Sequence, residues 1–342
     1  MMMIRYAQER DLDAMFQLAE ESGVGMTSLP ANKEILLARI QRSQKTLQGQ
    51  LPRGEQGYVF VLEDTECQQV VGVSAIEVAV GLDAPFYHYH VGKQVHACQA
   101  LAVYRTLNTL FLSHDLSGSS ELCTLFLTPR YRQGHNGKFL SKVRCLFMAA
   151  FQDCFQAQVI AEMRGYCDEH GQSPFWNAVG AHFFAMDFAT ADYLSGTGQK
   201  AFIAELMPRL PIYVELLPLD AQAVIGQVHP QTQPASHVLM AEGLQPQHYI
   251  DIFDGGPTLG AALTQLRAVR ESQLVEVECS VENSQSQQIC ILSNDCYDDY
   301  RAILVAHDLN TNHSVKISPV QAQHLHYQNG HKYRILALDP KE

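Results

Sequence analysis

The segment from Leu122 to Leu140 contains the residue types and spacing best suited to binding a phosphate-bearing ligand. An apolar run leads into a short polar loop with Arg132, Gly134 and Gly137, and apolar residues at helical spacing follow directly. Glycine allows the backbone to come close to a ligand. The first turn of a helix offers unpaired N–H groups and the positive end of the helix dipole, which suit a phosphate. The sequence therefore predicts a strand, a phosphate-binding loop and a helix.

This loop differs from two familiar phosphate-binding motifs, because it lacks both a closing Gly-Lys-Ser/Thr and a Gly-x-Gly-x-x-Gly fingerprint. It resembles the acyl-CoA-binding motif of the GNAT acyltransferase superfamily, in which a strand leads into an Arg-x-x-Gly-x-Gly/Ala loop that holds the CoA pyrophosphate. The matching positions are Leu125, Leu127, Arg132 and Gly137. Gly134 comes one residue early, and His135 stands at the usual glycine position. An ordinary joint between a strand and a helix is the competing interpretation.

Several unusual strings extend the resemblance over nearly the whole chain. They include TSLPAN (27–32), EQGYVFVLED (55–64), SPFWNAVG (173–180), GQVHPQTQPA (226–235) and YIDIFDGGPTL (249–259). In this order they resemble the bacterial arginine N-succinyltransferase family. The resemblance implies an enzyme of arginine catabolism that converts succinyl-CoA and L-arginine to CoA and N2-succinyl-L-arginine, by direct attack of the α-amino group on the thioester. It implies no metal and no permanently bound cofactor, since succinyl-CoA is a co-substrate.

Two alternatives stay open at this point. The first is a succinyltransferase for another amine, such as ornithine. The second is a non-catalytic acyl-CoA-binding subunit of a heteromeric acyltransferase. The displaced glycine of the CoA loop favours this second alternative, whereas the complete GQVHPQ string argues against it.

His229, the histidine of that string, is the residue that the resemblance implies as the catalytic proton donor. Histidine titrates near neutral pH and can act as an acid or a base, and Pro230 restricts the backbone after it. Tyr213 and Tyr249 are alternative acids. The resemblance also implies that the main chain of Leu125 binds the pantetheine arm and the oxyanion at an open strand edge. A plain core leucine is the competing interpretation of that residue.

Both substrates also require charge recognition. We expect Arg132 to face the pyrophosphate and Arg164 to be a candidate for a substrate carboxylate, since guanidinium groups bind such anions well. The substrate guanidinium needs acidic partners, and the candidates are Glu121, Glu162, Glu169, Asp251 and Asp254. The sequence does not rank them, and Asp254 could instead shape the Gly-Gly turn that follows it.

The composition restricts the class of protein and its partners. A chain of 342 residues with 46% hydrophobic and 18% charged residues is typical of a folded protein with more than one domain. A net charge of −12 disfavours nucleic acid as a partner. Nine cysteines without a Cys-x-x-Cys pair argue against a zinc site. The sequence predicts neither a signal peptide nor a membrane span, so we expect a cytoplasmic protein, and we expect a homo-oligomer.

The elements that must position these residues follow an alternating pattern of strands and helices. The pattern predicts an α/β (α+β) fold with a GNAT-like N-acyltransferase core, which we assign to residues 1–200 as the acyl-CoA-binding domain. Residues 201–270 are a predicted degenerate second GNAT-like half that carries His229. Residues 271–342 contain β-like runs and one short helix, which predict a small, mostly-β, barrel-like domain.

Overall fold

The strands and helices are described in a computed structural model that covers residues 1–23, 26–197, 201–280, 288–310 and 314–340. The strands are β1 Met2–Tyr6, β2 Gly57–Asp64, β3 Gln69–Glu77, β4 His88–Cys98, β5 Val103–Ser113, β6 Ser120–Leu127, β7 Gln158–Glu162, β8 Ile212–Tyr213, β9 Gln245–Ile250, β10 Pro257–Ala262, β11 Gln273–Cys279, β12 Ile289–Ser293, β13 Arg301–Ala306, β14 Ser314–Ile317 and β15 Lys332–Ala337. They form one sheet in the order β14-β11-β15-β12-β13-β1-β2-β3-β6-β7-β10-β9-β4-β5-β8.

The helices cover both faces of this sheet. They are α1 Leu12–Ser22, α2 Lys33–Leu47, α3 Asn136–Ala150, α4 Pro174–Ala178, α5 Gly180–Phe184, α6 Phe188–Gly196, α7 Ala201–Leu206, α8 Leu219–Val224, α9 Gln233–Ala241, α10 Arg267–Glu271 and α11 Pro319–His324. Helix α2 begins where the Asn32 side chain accepts hydrogen bonds from two backbone N–H groups of the first turn. The mixture of strands and helices confirms the predicted α/β class.

The pairing between two neighbouring strands, β6 and β7, is interrupted near the centre of the sheet. Strands β1, β2, β3 and β6 pair antiparallel, whereas β6 and β7 pair parallel only at Ser120–Val159 and Glu121–Ile160. The register between β3 and β6 shifts just after these two pairs, between Cys123 and Phe126. Thr124, within this shift, has a φ of 52°. A bulge bends its strand and re-aims the residues beside it. The strand therefore continues past Thr124 without a paired neighbour on the β7 side.

Helix α3 packs against this break as the most buried helix of the core. Phe139, Leu140, Val143, Leu146 and Phe147 are all 0% exposed, which matches the predicted helical spacing. Their cluster also contains side chains of β1, β2 and β3. Helices α1 and α2 belong to a second cluster with side chains of β2, β3 and β6. The two clusters hold the start of α3 at the C-terminal end of β6.

A buried group of charges joins α3 to the elements that follow. Glu242 directly follows α9 and is 0% exposed. Its Oε1 accepts hydrogen bonds from Nε and Nη2 of Arg267 at 3.0 and 2.8 Å, and it lies 3.0 Å from Nζ of Lys142. Lys142 and Arg267 also donate to the backbone carbonyls of Leu338 and Ala337, at 2.6 and 2.9 Å. One carboxylate thus links α3, α9, α10 and the C-terminal segment.

The long hairpin of β4 and β5 was not among the sequence predictions. Its strands pair over eleven positions, from His88–Ser113 to Cys98–Val103, and its outer half is exposed. Strand β4 also pairs with β9, and β9 pairs with β10, which pairs with β7. The segment 201–270 therefore continues the central sheet and does not form a sheet of its own. Its identity as a second GNAT-like half stays a prediction.

The C-terminal strands are placed differently from the predicted barrel. Strand β13 pairs antiparallel with β1, so β11 to β15 extend the large sheet at that edge. They form no closed barrel in the part of the chain that the structure describes, and the predicted barrel-like shape is wrong. The strand pattern carried no information on the pairing of β1 with β13, since the two are some three hundred residues apart. The predicted boundaries at 200/201 and 270/271 stay predictions, and residues 198–200 lie outside the described ranges.

Candidate active site

A cavity of about 160 Å³ lies beside the break between β6 and β7. Its wall includes Cys123, Thr124 and Leu125 from β6, and Met163 and Arg164 from the end of β7. Residues of α3 and α9 contribute to the same wall, so the cavity lies where these helices meet the break in the sheet. Backbone groups of β6 that β7 does not pair can bind an extended ligand as an additional strand would. The predicted role of the Leu125 main chain is compatible with this geometry.

The predicted phosphate loop lies at the C-terminal end of β6. Arg132 is exposed, and its Nε donates to the carbonyl oxygen of Leu127 at 2.8 Å, which holds the side chain near the strand end. Gly134 has a φ of 58°, a conformation that favours glycine. Gly137 lies in the first turn of α3, and a Cβ at either glycine would meet nothing within 4 Å. The structure thus brings these three residues together on an open surface before a helix of fifteen residues.

A second cavity, of about 420 Å³, adjoins the first one. The residues that line both cavities are Thr27, Ser28, Glu121, Cys123, Glu162, Asp251 and Phe253. Three of the five predicted guanidinium partners, Glu121, Glu162 and Asp251, are therefore in the wall that the cavities share. The structure brings these carboxylates together, although they are far apart in the sequence.

The other two predicted guanidinium partners are placed differently. Glu169 lines neither cavity and is largely exposed, with 89% of its side chain accessible. Asp254 lines the first cavity, but its carboxylate accepts hydrogen bonds from the backbone N–H groups of Gly165 and Gly256 at 2.6 and 2.8 Å. Asp254 thus shapes the turn. Burial and the neighbouring carboxylate of Asp251 raise the pKa of Asp254 well above its usual range.

Two arginines that the sequence analysis missed line the second cavity. Arg39 and Arg42 of α2 contact the Glu77 carboxylate at 3.2 and 2.5 Å. Nη2 of Arg39 also donates to the Thr124 hydroxyl at 3.1 Å, so its guanidinium reaches the bulge of β6. The positions of these arginines on α2 gave no signal in the sequence, since charged residues at helical spacing normally face solvent.

His229 lies at the edge of the first cavity. Its backbone N–H donates to the carbonyl oxygen of Arg164 at 2.8 Å, and Arg164 lines the cavity. Its Nδ1 accepts a hydrogen bond from the Gln231 backbone at 3.2 Å, which assigns the hydrogen of the neutral ring to Nε2. Partial burial and the positive charge of Arg164 lower the pKa of His229 below the usual 6.5. The ring is therefore neutral at pH 7 with a donor at Nε2.

The alternative acids and the cysteine beside the cavity have other surroundings. Tyr213 and Tyr249 line neither cavity, and the Tyr249 hydroxyl donates to Asp115 at 3.1 Å. Burial and this contact raise the pKa of Tyr249. Burial also raises the pKa of the Cys123 thiol to about 12, so it remains protonated at neutral pH. His229 also lies outside the lining of both cavities, but its backbone contacts Arg164, which lines the first one, and we retain it as the candidate acid.

Among the described residues, no group of three or more His, Cys, Asp or Glu side chains is arranged to hold a metal ion. Within the same ranges, no helix combines the length and the apolar character that crossing a membrane requires.

Comparisons with known proteins agree over almost the full length of the chain. Residues 2–268 match the family described as arginine N-succinyltransferase beta subunit. The arginine N-succinyltransferase of Yersinia pseudotuberculosis serotype O:3 (strain YPIII) is 56% identical over 344 residues, which cover 99% of this chain and 98% of the relative. The arginine N-succinyltransferase of Salmonella paratyphi B is 54% identical over 342 residues, which cover 100% and 99%. The solved structure of arginine/ornithine succinyltransferase subunit AI from Pseudomonas aeruginosa superposes with a TM-score of 0.91 at 37% identity and covers 99% of both chains.

Proposed function

Since the chain belongs to the arginine N-succinyltransferase family, we propose that it transfers the succinyl group of succinyl-CoA to the α-amino group of L-arginine in the two cavities beside the break between β6 and β7. The observation that carries this proposal is the position of the break. The edge of β6 that β7 does not pair runs from the loop with Gly134 and Gly137, called the glycine loop below, to the cavity wall that contains Glu121, Glu162 and Asp251. CoA and a cationic amino acid can therefore meet at one point of the sheet.

The CoA molecule is assigned to the loop and the open strand edge. Its pyrophosphate binds the backbone of the loop with Arg132, Gly134 and Gly137, where the helix start favours an anion. Its pantetheine arm runs along the main chain of Leu127 and Leu125. The thioester oxygen then receives a backbone hydrogen bond near Leu125, and such a donor stabilises the developing oxyanion.

The arginine substrate is assigned to the second cavity and its shared wall. Its α-carboxylate binds Arg39, which contacts the Thr124 hydroxyl beside the proposed thioester position. The side-chain guanidinium binds the shared wall, where Glu121, Glu162 and Asp251 are the acidic residues. Oδ1 of Asp251 also accepts hydrogen bonds from the Phe253 and Asp254 backbone at 2.7 and 2.9 Å.

The chemistry needs no covalent enzyme intermediate. The neutral α-amine forms a C–N bond to the thioester carbon, and the carbonyl electron pair moves to oxygen. When the tetrahedral intermediate collapses, the C–S bond breaks and the electron pair leaves with the CoA sulfur. One proton moves in total from the amine nitrogen to the sulfur. His229 passes its Nε2 proton to the departing sulfur while Nε2 takes up the proton that the amine releases, so the ring is neutral before and after the step. The carbonyl oxygen of Arg164 holds the backbone of His229 in place.

The proposed role of the phosphate loop predicts a binding defect. We expect Arg132→Gln to weaken succinyl-CoA binding by roughly 10- to 100-fold, because a charge-assisted contact with phosphate is lost. The turnover rate at saturating succinyl-CoA should change little. Initial rates over a range of succinyl-CoA concentrations measure both quantities. Arg130→Gln is the matched control on the same loop, and equal effects of the two variants would contradict a specific role of Arg132.

The surroundings of His229 predict its titration. Protonation of the ring adds a positive charge beside Arg164, so removal of the Arg164 charge must raise the pKa. We expect a wild-type midpoint below 6.5, and a higher midpoint in Arg164→Met. NMR titration of the ring signals measures both values, with His229→Ala used to assign the resonance. A wild-type midpoint above 6.5, or an unchanged midpoint in the variant, would contradict this account.

An assay of thiol release tests the proposed reaction directly. Purified protein is mixed with succinyl-CoA and L-arginine, and free thiol is measured, with acetyl-CoA as the donor control. Release that requires arginine and is faster with succinyl-CoA supports the proposal. Release without an amine, or equal rates with both donors, argues against it.

Ornithine is the second acceptor to include in this assay. The Pseudomonas aeruginosa relative is an arginine/ornithine succinyltransferase subunit, and its chain is 37% identical to this one. A δ-ammonium group is shorter than a guanidinium and cannot form two parallel hydrogen bonds with one carboxylate. We therefore propose arginine as the better acceptor, with a higher kcat/KM than ornithine. The family membership does not favour the non-catalytic subunit.

Two further expectations concern the protein as a whole. All nine cysteines are free, which supports a reducing compartment such as the cytoplasm. The exposed half of the β4–β5 hairpin carries large apolar side chains, among them Leu101, Val103 and Tyr104. Exposed apolar surface of this kind marks interaction sites, which supports a homo-oligomer. Light scattering of the purified chain measures its mass in solution.

A further inference from the structure

Arg144 places a buried positive charge at the wall of the first cavity. It belongs to α3, is 1% exposed and lines the same cavity as Thr124 and Leu125. Its Nη1 donates to the carbonyl oxygen of Cys123 at 3.0 Å. Its Nε and Nη2 donate to the carbonyl and hydroxyl oxygens of Ser141 at 3.1 and 3.2 Å. All of these hydrogen-bond partners are uncharged, and the ion pairs of the described residues do not include Arg144, although the Glu121 carboxylate of the same cavity acts on its charge.

This arrangement differs from that of the other buried cations of α3 and α10. Lys142 and Arg267 are equally buried, but both contact the carboxylate of Glu242. Desolvation of a buried charge is costly, and burial lowers the pKa of Arg144, although the negative charge of Glu121 opposes this shift. A guanidinium nonetheless stays charged in proteins. The cavity therefore presents a cation that has no direct ion pair, and a ligand carboxylate would supply one.

We propose that Arg144 binds the free carboxylate of the succinyl group and thereby selects succinyl-CoA over donors without a terminal carboxylate. This inference rests on the proposed function. The hydrogen bond to Cys123 fixes the guanidinium one residue before the bulge at Thr124. The thioester oxygen is assigned to the main chain near Leu125, and two methylene groups separate the succinyl carboxylate from the thioester carbon. Only Thr124 lies between Cys123 and Leu125 on the strand, so the two assigned positions are close together.

Arg164 is the competing cation of the same cavity. It lines the cavity and lies next to His229, and its buried Nε has no hydrogen-bond partner in the described part of the chain. Arg164 follows β7, however, whereas Arg144 is fixed to the strand that carries the proposed thioester position. The succinyl carboxylate is therefore assigned to Arg144, and Arg164→Met is the comparison variant in the test.

The test compares two donors of equal chain length. Butyryl-CoA has a methyl group where succinyl-CoA has its carboxylate, so the ratio of their kcat/KM values isolates carboxylate recognition. At saturating arginine, we expect Arg144→Met to lower kcat/KM for succinyl-CoA by about 100-fold or more, because one partner of a buried charged contact is lost. The value for butyryl-CoA should change by less than about tenfold. Arg164→Met should retain a preference for succinyl-CoA.

A purely structural role of Arg144 predicts a different pattern. Loss of the contact with Cys123 alone would disturb β6 and lower the rates with both donors in parallel. A parallel loss, an unchanged donor ratio in Arg144→Met, or loss of the ratio only in Arg164→Met would overturn the proposal. Thermal unfolding shows whether each variant folds. If Arg144→Met does not fold, Arg144→Lys decides the question, since lysine lacks the planar fork and an unchanged donor ratio would overturn the proposal.

Binding measurements separate this proposal from the proposed reaction. Calorimetry without arginine gives the Kd of succinyl-CoA and butyryl-CoA for the wild type and for Arg144→Met. Tighter binding of succinyl-CoA that is lost in the variant supports the role of Arg144, even if arginine-dependent thiol release fails. Equal affinities of the wild type for the two donors would overturn it, even if release succeeds.

Discussion

Replacement of His229 by alanine is expected to lower kcat by roughly two to four powers of ten, the usual contribution of general acid–base catalysis. The expected physical reason is loss of the donor at Nε2 when the CoA sulfur departs. The ring is held by the Gln231 backbone at Nδ1, and its own N–H contacts the carbonyl oxygen of Arg164. The KM for succinyl-CoA should change much less than kcat, because the glycine loop is the proposed binding site for the other end of CoA.

A second histidine provides the matched control. His237 lies on α9, eight residues further along the chain, and is exposed. His237→Ala should retain a kcat near that of the wild type. Steady-state rates with succinyl-CoA and arginine measure both variants. A kcat for His229→Ala within about tenfold of the wild type would remove this histidine from the proposed chemistry.

Replacement of Glu242 by glutamine is expected to lower the free energy of unfolding by about 3–5 kcal/mol. The substitution keeps the size of the side chain but removes the negative charge. Lys142 and Arg267 then face each other's positive charge while each is only 2% exposed. Breaking a buried ion pair by removing one partner costs this much because the remaining charges lose their buried counter-ion. Arg267 then keeps only the partly exposed carboxylate of Glu271 at 3.4 Å, and Lys142 keeps only that of Asp339 at 4.0 Å. Urea unfolding, followed by circular dichroism, measures the change.

An exposed ion pair serves as the control for Glu242. Lys138 contacts Asp339 at 2.7 Å, and their side chains are 42% and 53% accessible. Lys138→Met should cost less than about 1 kcal/mol, because solvent screens exposed pairs. The triple replacement of Lys142, Glu242 and Arg267 by methionine removes every charge of the buried group, and it should restore much of the stability that Glu242→Gln loses. A loss for Glu242→Gln no greater than that for Lys138→Met would contradict the assigned role.

Local elements, including the glycine loop between β6 and α3, could be predicted from the sequence. The apolar run at Leu122–Leu127 is a strand, the glycine loop follows it, and the apolar positions after Gly137 face the core as a helix predicts. Residues close together in the sequence determine these features, because side-chain direction repeats every two residues in a strand and every 3.6 residues in a helix. The GQVHPQ string resembles the corresponding string of the family, and this resemblance identified His229 as the candidate proton donor. In the structure, the backbone of His229 contacts Arg164, which lines the first cavity.

Only the tertiary structure decided which side chains meet at the site. Arg39 lies on α2, Arg144 on α3 and Glu162 on β7. These elements meet at the part of the sheet in which β3, β6 and β7 are neighbours, so the three side chains converge. Pairing of β1 with β13 likewise joins opposite ends of the chain and replaces the predicted barrel with an extended sheet. Such contacts depend on strand order and burial over long sequence separations. A local hydrophobic pattern shows that a strand has a buried face, but it carries no information about the strand that will cover its edge.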